Sequence, residues 1–167
     1  MLFVLFHLGQ ERYALEAARV VEVVPLLALK RFPQSPRGVA GVFIYRGRPV
    51  PALDLCELTV GRPAQENFST RIILINHGKN PGDQQLVGLI AERVTETLRR
   101  EQSEFLDPSV QLASSPFLGT VLMDGSGVVQ VINPERLMVD GLALMVSNQP
   151  LSALNSQSTT EALDASH

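Results

Sequence analysis

The apolar residues of this chain fall in short runs that Gly, Pro and polar residues interrupt, a pattern typical of β-strands. The first and longest of these runs are apolar at successive positions, which predicts strands buried on both faces. The segments assigned to strands are 2–8, 13–15, 20–24, 39–45, 50–53, 71–75, 86–90, 93–99, 118–123 and 128–132. The pattern therefore predicts a mainly β fold with short helices.

The segment 38–55 is the most regular part of the pattern and reads as strand, tight turn, strand. Arg46-Gly47-Arg48 supplies the turn, where Gly accepts a positive φ at little cost. Pro49 and Pro51 cannot donate to a ladder, so we expect the second strand to lie at an edge or to pair on one side only. The arginines at the turn become candidate binding residues, because loops on rigid hairpins often bind.

Helix signals occur at two places. Asp54 is a suitable N-cap for a short helix over 55–58. Asn133 precedes Pro134 at the first position of a predicted C-terminal helix that runs to about Val146. The stretch 147–167 is rich in Ser, Thr, Asn and Gln, so we predict one domain over 1–146 followed by a disordered tail.

The two halves of the domain resemble each other. The segments 5–9 and 15–22 are echoed by 74–78 and 89–96, in the same order. Gly41 and Gly47 have the same spacing as Gly119 and Gly125. A duplication predicts two small β-modules of about five strands each. Because neither module is large enough to bury a core alone, the interface between them should be apolar.

Composition excludes several classes of function. The formal net charge is −3, which provides no basic footprint for nucleic acid. No apolar run approaches the roughly 20 residues of a membrane span, and the N-terminus lacks the features of a signal peptide. With one cysteine, no intrachain disulfide can form, which fits a reducing cytoplasm. We therefore expect a cytoplasmic protein without nucleic acid as a partner.

Candidate chemistry is sparse. Cys56 with His7, His77 or His167 could form a nucleophile and its base, but a small buried thiol is the favoured interpretation of Cys56. No His, Cys or carboxylate spacing of a metal site and no Gly-rich phosphate loop occurs. We therefore predict no catalytic activity, no cofactor and no metal.

Five sequence blocks together resemble the signature of CheW-like coupling proteins. They are Glu22-Val23, Pro36 to Gly41, Arg46-Gly47, Val50 to Leu55, and Gly88 to Val94, and the likeness covers about residues 2–140. The resemblance implies a fold of two SH3-like five-stranded β-barrels packed together. It thus agrees with the internal repeat.

The resemblance also implies a function. Such proteins are non-catalytic adaptors that bridge the helical hairpin at a chemoreceptor's cytoplasmic tip and the regulatory domain of a CheA-type histidine kinase. They are cytoplasmic and join receptor arrays at the membrane without inserting into it. Carried over from the family, the expected receptor-binding residues are Val20, Glu22, Arg46 and Val94. The mode is a helix docked in a groove, where apolar contacts give affinity and a few charges set the register.

The chain departs from the family pattern at two places. Ile44 stands where the family usually has Asn, and Ala91-Glu92 stands where it has Val-Asp. These departures suggest a different receptor, as in a surface-sensing or Wsp-type system. The alternatives are a module related to the kinase's own regulatory domain and a Cys56-dependent enzyme. The start at Met1 and the missing kinase boxes favour a free-standing adaptor.

Overall fold

The structure is a computed structural model that describes residues 1–31, 33–78, 80–108 and 115–138. Its strands are β1 (Leu2–Leu8), β2 (Glu11–Glu16), β3 (Val20–Pro25), β4 (Val39–Tyr45), β5 (Arg48–Asp54), β6 (Arg71–Asn76), β7 (Leu86–Arg99), β8 (Leu118–Asp124) and β9 (Gly127–Ile132). One α-helix, α1 (Leu55–Val60), follows β5. Single 3₁₀ turns lie at Ala17–Arg19, Gln102–Glu104 and Pro134–Met138.

The first barrel consists of β3, β4, β5, β6 and the first half of β7. β6 pairs antiparallel with β3 and with β7, while β5 pairs antiparallel with β4 and parallel with β7. A pair of backbone hydrogen bonds joins Lys30, in the segment that follows β3, to Val42 on β4. The barrel therefore uses only strands from the middle of the chain.

The second barrel is built from both ends of the described chain. β1 pairs antiparallel with β2 and with the second half of β7, while β9 pairs parallel with β2 and antiparallel with β8. Leu106 and Val121 exchange backbone hydrogen bonds here, as Lys30 and Val42 do in the first barrel. The two barrels thus repeat the same pairing scheme.

The internal repeat is therefore present in the fold, but the barrels do not coincide with the two sequence halves. β1 and β2 of the first half combine with the end of β7, β8 and β9 of the second. β3, β4 and β5 of the first half combine with β6 and the start of β7 of the second half to make the other barrel. Each barrel therefore needs strands from both halves, and β7, one continuous strand of 14 residues, is shared by the two barrels.

A central apolar cluster lies between the barrels, as the repeat predicted. It draws on β1, β5, β6, β7, β9 and α1, while smaller clusters fill the interior of each barrel. In β6, Ile73 and Ile75 face the central cluster, and Ile72 and Leu74 face the barrel interior. All four are at most 2% exposed. This double burial explains why β6 is apolar at successive positions.

Two carboxylates hold the segments around β7. Asp54 caps α1 by accepting from the amides of Cys56 and Glu57 (2.9 and 3.2 Å), and it also accepts from the amide of Ala64 at 2.8 Å. Glu92 lies beside Arg93, whose φ of 49° marks the irregular point where β7 passes between barrels.

Glu92 is 6% exposed and accepts from three residues, which lie in two separate segments of the chain. Arg62 donates to both carboxylate oxygens (3.1 and 3.2 Å), and the amides of Gln65 and Gly9 donate at 2.7 and 3.2 Å. Burial raises the pKa of Glu92, but these donors outweigh burial and leave the pKa below its ordinary value. The longer side chain at this departure from the family pattern therefore reaches a full set of partners.

The predictions for β5 and for the C-terminal helix can be compared with the structure in part. Pro49 and Pro51 lie in the part of β5 that pairs with β4 alone, as expected, whereas Ala52 to Asp54 also pairs with β7. The helix predicted from Pro134 begins there as a 3₁₀ turn. Its continuation to about Val146, and the tail predicted over 147–167, lie outside the described residues.

Candidate functional site

The candidate site begins at the turn that joins β4 to β5. Arg46 and Gly47 have φ values of 48° and 76°, and Tyr45 pairs with Arg48 across them. Positive φ at both central positions is the geometry of a two-residue type I′ hairpin turn. The turn projects the Arg46 side chain into solvent, where 78% of it is exposed.

Glu22 and Arg46 meet at this turn although they are far apart in sequence. Nη2 of Arg46 lies 3.8 Å from Oε2 of Glu22, and the guanidinium carbon lies 5.3 Å from the centre of the Tyr45 ring. The Tyr45 hydroxyl donates a hydrogen bond to the same Glu22 oxygen. This hydrogen bond is the main reason that the pKa of Tyr45 is raised.

A shallow cleft of about 210 Å³ lies beside Arg46. Its lining combines apolar and polar side chains, namely Val21, Tyr45, Arg46, Arg48, Asn76, Gln84 and Leu86. Arg48 is held in place by Gln84, whose side-chain and backbone oxygens accept from it at 3.0 and 3.2 Å. Among the described residues, the Arg46 guanidinium contacts the Glu22 carboxylate at 3.8 Å and the Tyr45 ring but donates no hydrogen bond. Its donors are available to a partner.

The two valines among the predicted receptor-binding residues lie elsewhere. Val94 is 3% exposed and belongs to the central cluster between the barrels, and its amide donates to the Ser69 carbonyl at 2.9 Å. Val20 is half-buried and packs against the same cluster. The structure therefore brings Glu22 and Arg46 together at the surface and places both valines at the inter-barrel core.

Ile44 and Ala91, where the chain departs from the family pattern, have opposite surroundings. Ile44 is 63% exposed and lies opposite Pro49 on β5. Ala91 is fully buried in the central cluster. An exposed isoleucine beside the Arg46 turn adds apolar surface where an amide would be polar, whereas Ala91 affects packing alone.

Cys56 does not have the environment of a nucleophile. Its side chain is 0% exposed, at the start of α1 in the central cluster. Burial raises its pKa to about 12, and the charges of Glu92 and Asp54 add to the shift. A reactive thiol needs the opposite shift, toward the thiolate form. Among the described residues, no group of three or more His, Cys, Asp or Glu side chains could hold a metal ion.

Sequence reasoning missed Tyr45 as a member of the site. The residue contributed only its β propensity to the strand prediction, although its position directly before the Arg46 turn was a usable signal. The sequence pattern could not show that Glu22 on β3 lies within reach of the Tyr45 hydroxyl, because β3 and β4 are not neighbours in the hydrogen-bonded sheet.

A family model for the CheW-like domain matches residues 2–141. The chain belongs to this family. Membership confirms the resemblance carried by Glu22, the Arg46-Gly47 turn and the segment from Gly88 to Val94. The matched range covers every described strand of both barrels.

Two chemotaxis proteins CheW are similar to the chain in sequence. The one from Helicobacter pylori is 33% identical over 107 residues, which make up 64% of this chain and 61% of that protein. The one from Klebsiella aerogenes is 27% identical over 137 residues, or 82% of this chain and 75% of that protein. The chain thus spans less than two thirds of the length of the H. pylori protein.

A solved structure supports the CheW-like fold. The scaffolding protein TtCheW from Thermoanaerobacter tengcongensis superposes with a TM-score of 0.73 at 22% identity, covering 84% of this chain and 89% of that chain. The predicted pair of SH3-like β-barrels is thereby confirmed. Within the described ranges, none of the helices is both long enough and apolar enough to cross a membrane.

Proposed function

We propose that this CheW-like chain is a non-catalytic adaptor that couples a chemoreceptor to a CheA-type histidine kinase in chemosensory signalling. Two of its relatives are chemotaxis proteins CheW, and one protein that shares its fold is a scaffolding protein. The buried Cys56, with a pKa raised to about 12, argues against the enzyme alternative. The proposal includes cytoplasmic localisation and recruitment to receptor arrays.

The proposed receptor contact is centred on the surface formed by Glu22, Tyr45 and Arg46. The observation that carries it is the exposed Arg46–Glu22 pair beside a cleft that is partly apolar, since charges next to apolar surface suit a docked amphipathic helix. Val20 and Val94 remain in the proposal as residues of the central apolar cluster between the barrels. Because Val94 is only 3% exposed, we expect it to affect receptor binding through the packing of that cluster.

The proposed kinase contact is made barrel to barrel, because the kinase's regulatory domain has the same type of barrel in this family. We also propose that the adaptor function resides within residues 1–146, which include the whole family match over 2–141. The tail over 147–167 is then outside the coupling module. The exposed Ile44 supports a receptor preference different from that of couplers with Asn at this position.

The experiment is a receptor pulldown with Arg46→Glu. Because Arg46 is exposed at a turn tip, the variant should fold normally and should lose at least tenfold in receptor affinity, as expected when a paired charge is replaced by a repelling one. Arg99→Glu, an exposed charge reversal near the end of β7, is the matched control and should bind normally. Normal binding by a folded Arg46→Glu protein would falsify the assignment of Arg46.

A further inference from the structure

Tyr45 contacts both charged members of the candidate site at once. Its hydroxyl donates to the Glu22 carboxylate, and its ring lies 5.3 Å from the guanidinium carbon of Arg46. The body of the side chain packs against the apolar interior of the first barrel. Tyr45 is therefore anchored by its packing in the barrel and contacts both exposed charged side chains.

The charges need such support because their own contact is weak. Glu22 and Arg46 lie 3.8 Å apart, with 43% and 78% of their side chains exposed. Exposed ion pairs contribute little free energy and leave both side chains mobile. A Tyr side chain has only two χ angles, so it offers a rigid amphipathic contact at low entropic cost.

We propose that Tyr45 is the positioning residue of the receptor site, fixing the spacing of Glu22 and Arg46 so that a docking helix meets both charges in one arrangement. The inference rests on the proposed function. The hydroxyl holds the carboxylate, and the ring holds the guanidinium. The donors of Arg46 are left for an acceptor on the receptor.

The second barrel carries a different device at the corresponding place. Asp124 begins the β8–β9 turn as Tyr45 begins the β4–β5 turn, each pairing with the residue three positions later. Both Asp124 oxygens accept from Arg12 at 2.7 Å, and only 10% of its side chain is exposed. The repeat thus satisfies its charges internally at one turn and presents them to solvent at the other, which is the arrangement expected of a contact surface.

The first test reads the hydroxyl contact without any partner. The chain has two tyrosines and no tryptophan, so in Tyr13→Phe the phenol absorbance reports Tyr45 alone. Its pKa should lie above the ordinary value of about 10 and should fall when Glu22→Gln removes the carboxylate charge. Circular dichroism at each pH checks the fold. An identical titration with and without Glu22→Gln would overturn the inference.

The second test measures affinity for a soluble receptor-tip fragment that the wild-type chain binds. Tyr45→Phe should weaken binding about fivefold in the wild-type background and should have no further effect in Glu22→Gln, because the hydroxyl acts through that carboxylate. Tyr45→Leu should weaken binding in both backgrounds, since it also removes the ring beneath Arg46. Tyr13→Phe is the control and should bind normally.

The outcomes separate this inference from the proposed function. Equal losses for Tyr45→Phe in both backgrounds, or no loss at all, would overturn the positioning role while leaving the adaptor intact. If no receptor fragment from the source organism binds the wild-type chain, the proposed adaptor function fails. The titration would then still decide whether Tyr45 holds Glu22.

Discussion

The Arg12–Asp124 pair joins the two ends of the described chain, so its removal should weaken the second barrel. Both hydrogen bonds measure 2.7 Å, and the side chains are 19% and 10% exposed. The Asp124 carboxylate also accepts from the amide of Ser126 at 2.8 Å. Asp124→Asn keeps the shape and one acceptor and removes the charge.

The magnitude follows from the pKa of Asp124. The hydrogen bond from Arg12 is the main cause that lowers this pKa from 3.8 to about 2. At about 1.4 kcal/mol per unit, the ionised carboxylate stabilises the fold by at most about 2.5 kcal/mol at neutral pH, and solvent screening of this partly exposed pair reduces the figure. Because the folded-state pKa is the lower one, this stability is fully present well above pH 4 and is lost as the pH falls toward 2.

The assay is urea unfolding of wild type and Asp124→Asn at several pH values. The difference in unfolding free energy should be about 1–2 kcal/mol at pH 7 and roughly half as large at pH 3. Glu135→Gln is the control. It removes the exposed Arg19–Glu135 pair, whose side chains are 35% and 59% exposed, and should cost at most about 0.5 kcal/mol. A difference for Asp124→Asn that stays constant from pH 7 to pH 3 would refute the reasoning.

Two further predictions concern buried positions. Gly88→Ala should destabilise the chain by about 1–3 kcal/mol in thermal or urea unfolding, since the added Cβ would lie 2.6 Å from side-chain atoms of Ile72 and Phe43; Gly125→Ala, with open space around it, should be nearly neutral. Cys56→Ser should cost about 1–3 kcal/mol, because a hydroxyl replaces a thiol in an apolar cluster, yet the folded variant should bind the receptor fragment normally. A folded Cys56→Ser protein with impaired binding would contradict a purely structural role for Cys56. A Gly88→Ala protein as stable as wild type would contradict the close packing of β7.

The site illustrates how far sequence reasoning reaches. Arg46 could be placed at an exposed turn, because Gly47 after it marks a tight turn through local backbone sterics alone. Its pairing with Glu22 depends on how β3 and β4 sit in the barrel, which no local pattern encodes. The sequence marked Val94 as an apolar position on a strand, but it did not show that this position lies in the core between the barrels.

The sequence by itself determined the strands, the turns, the Asp54 cap and the existence of a repeat, because each rests on neighbouring residues and on φ preferences. Only the tertiary structure decided that the halves exchange strands and that β7 serves both barrels. Those outcomes rest on contacts such as Arg12–Asp124 and Gly9–Glu92, whose partners are 112 and 83 residues apart. Such contacts form only when the whole set of strands has chosen one pairing, so their free energy belongs to the topology rather than to any segment.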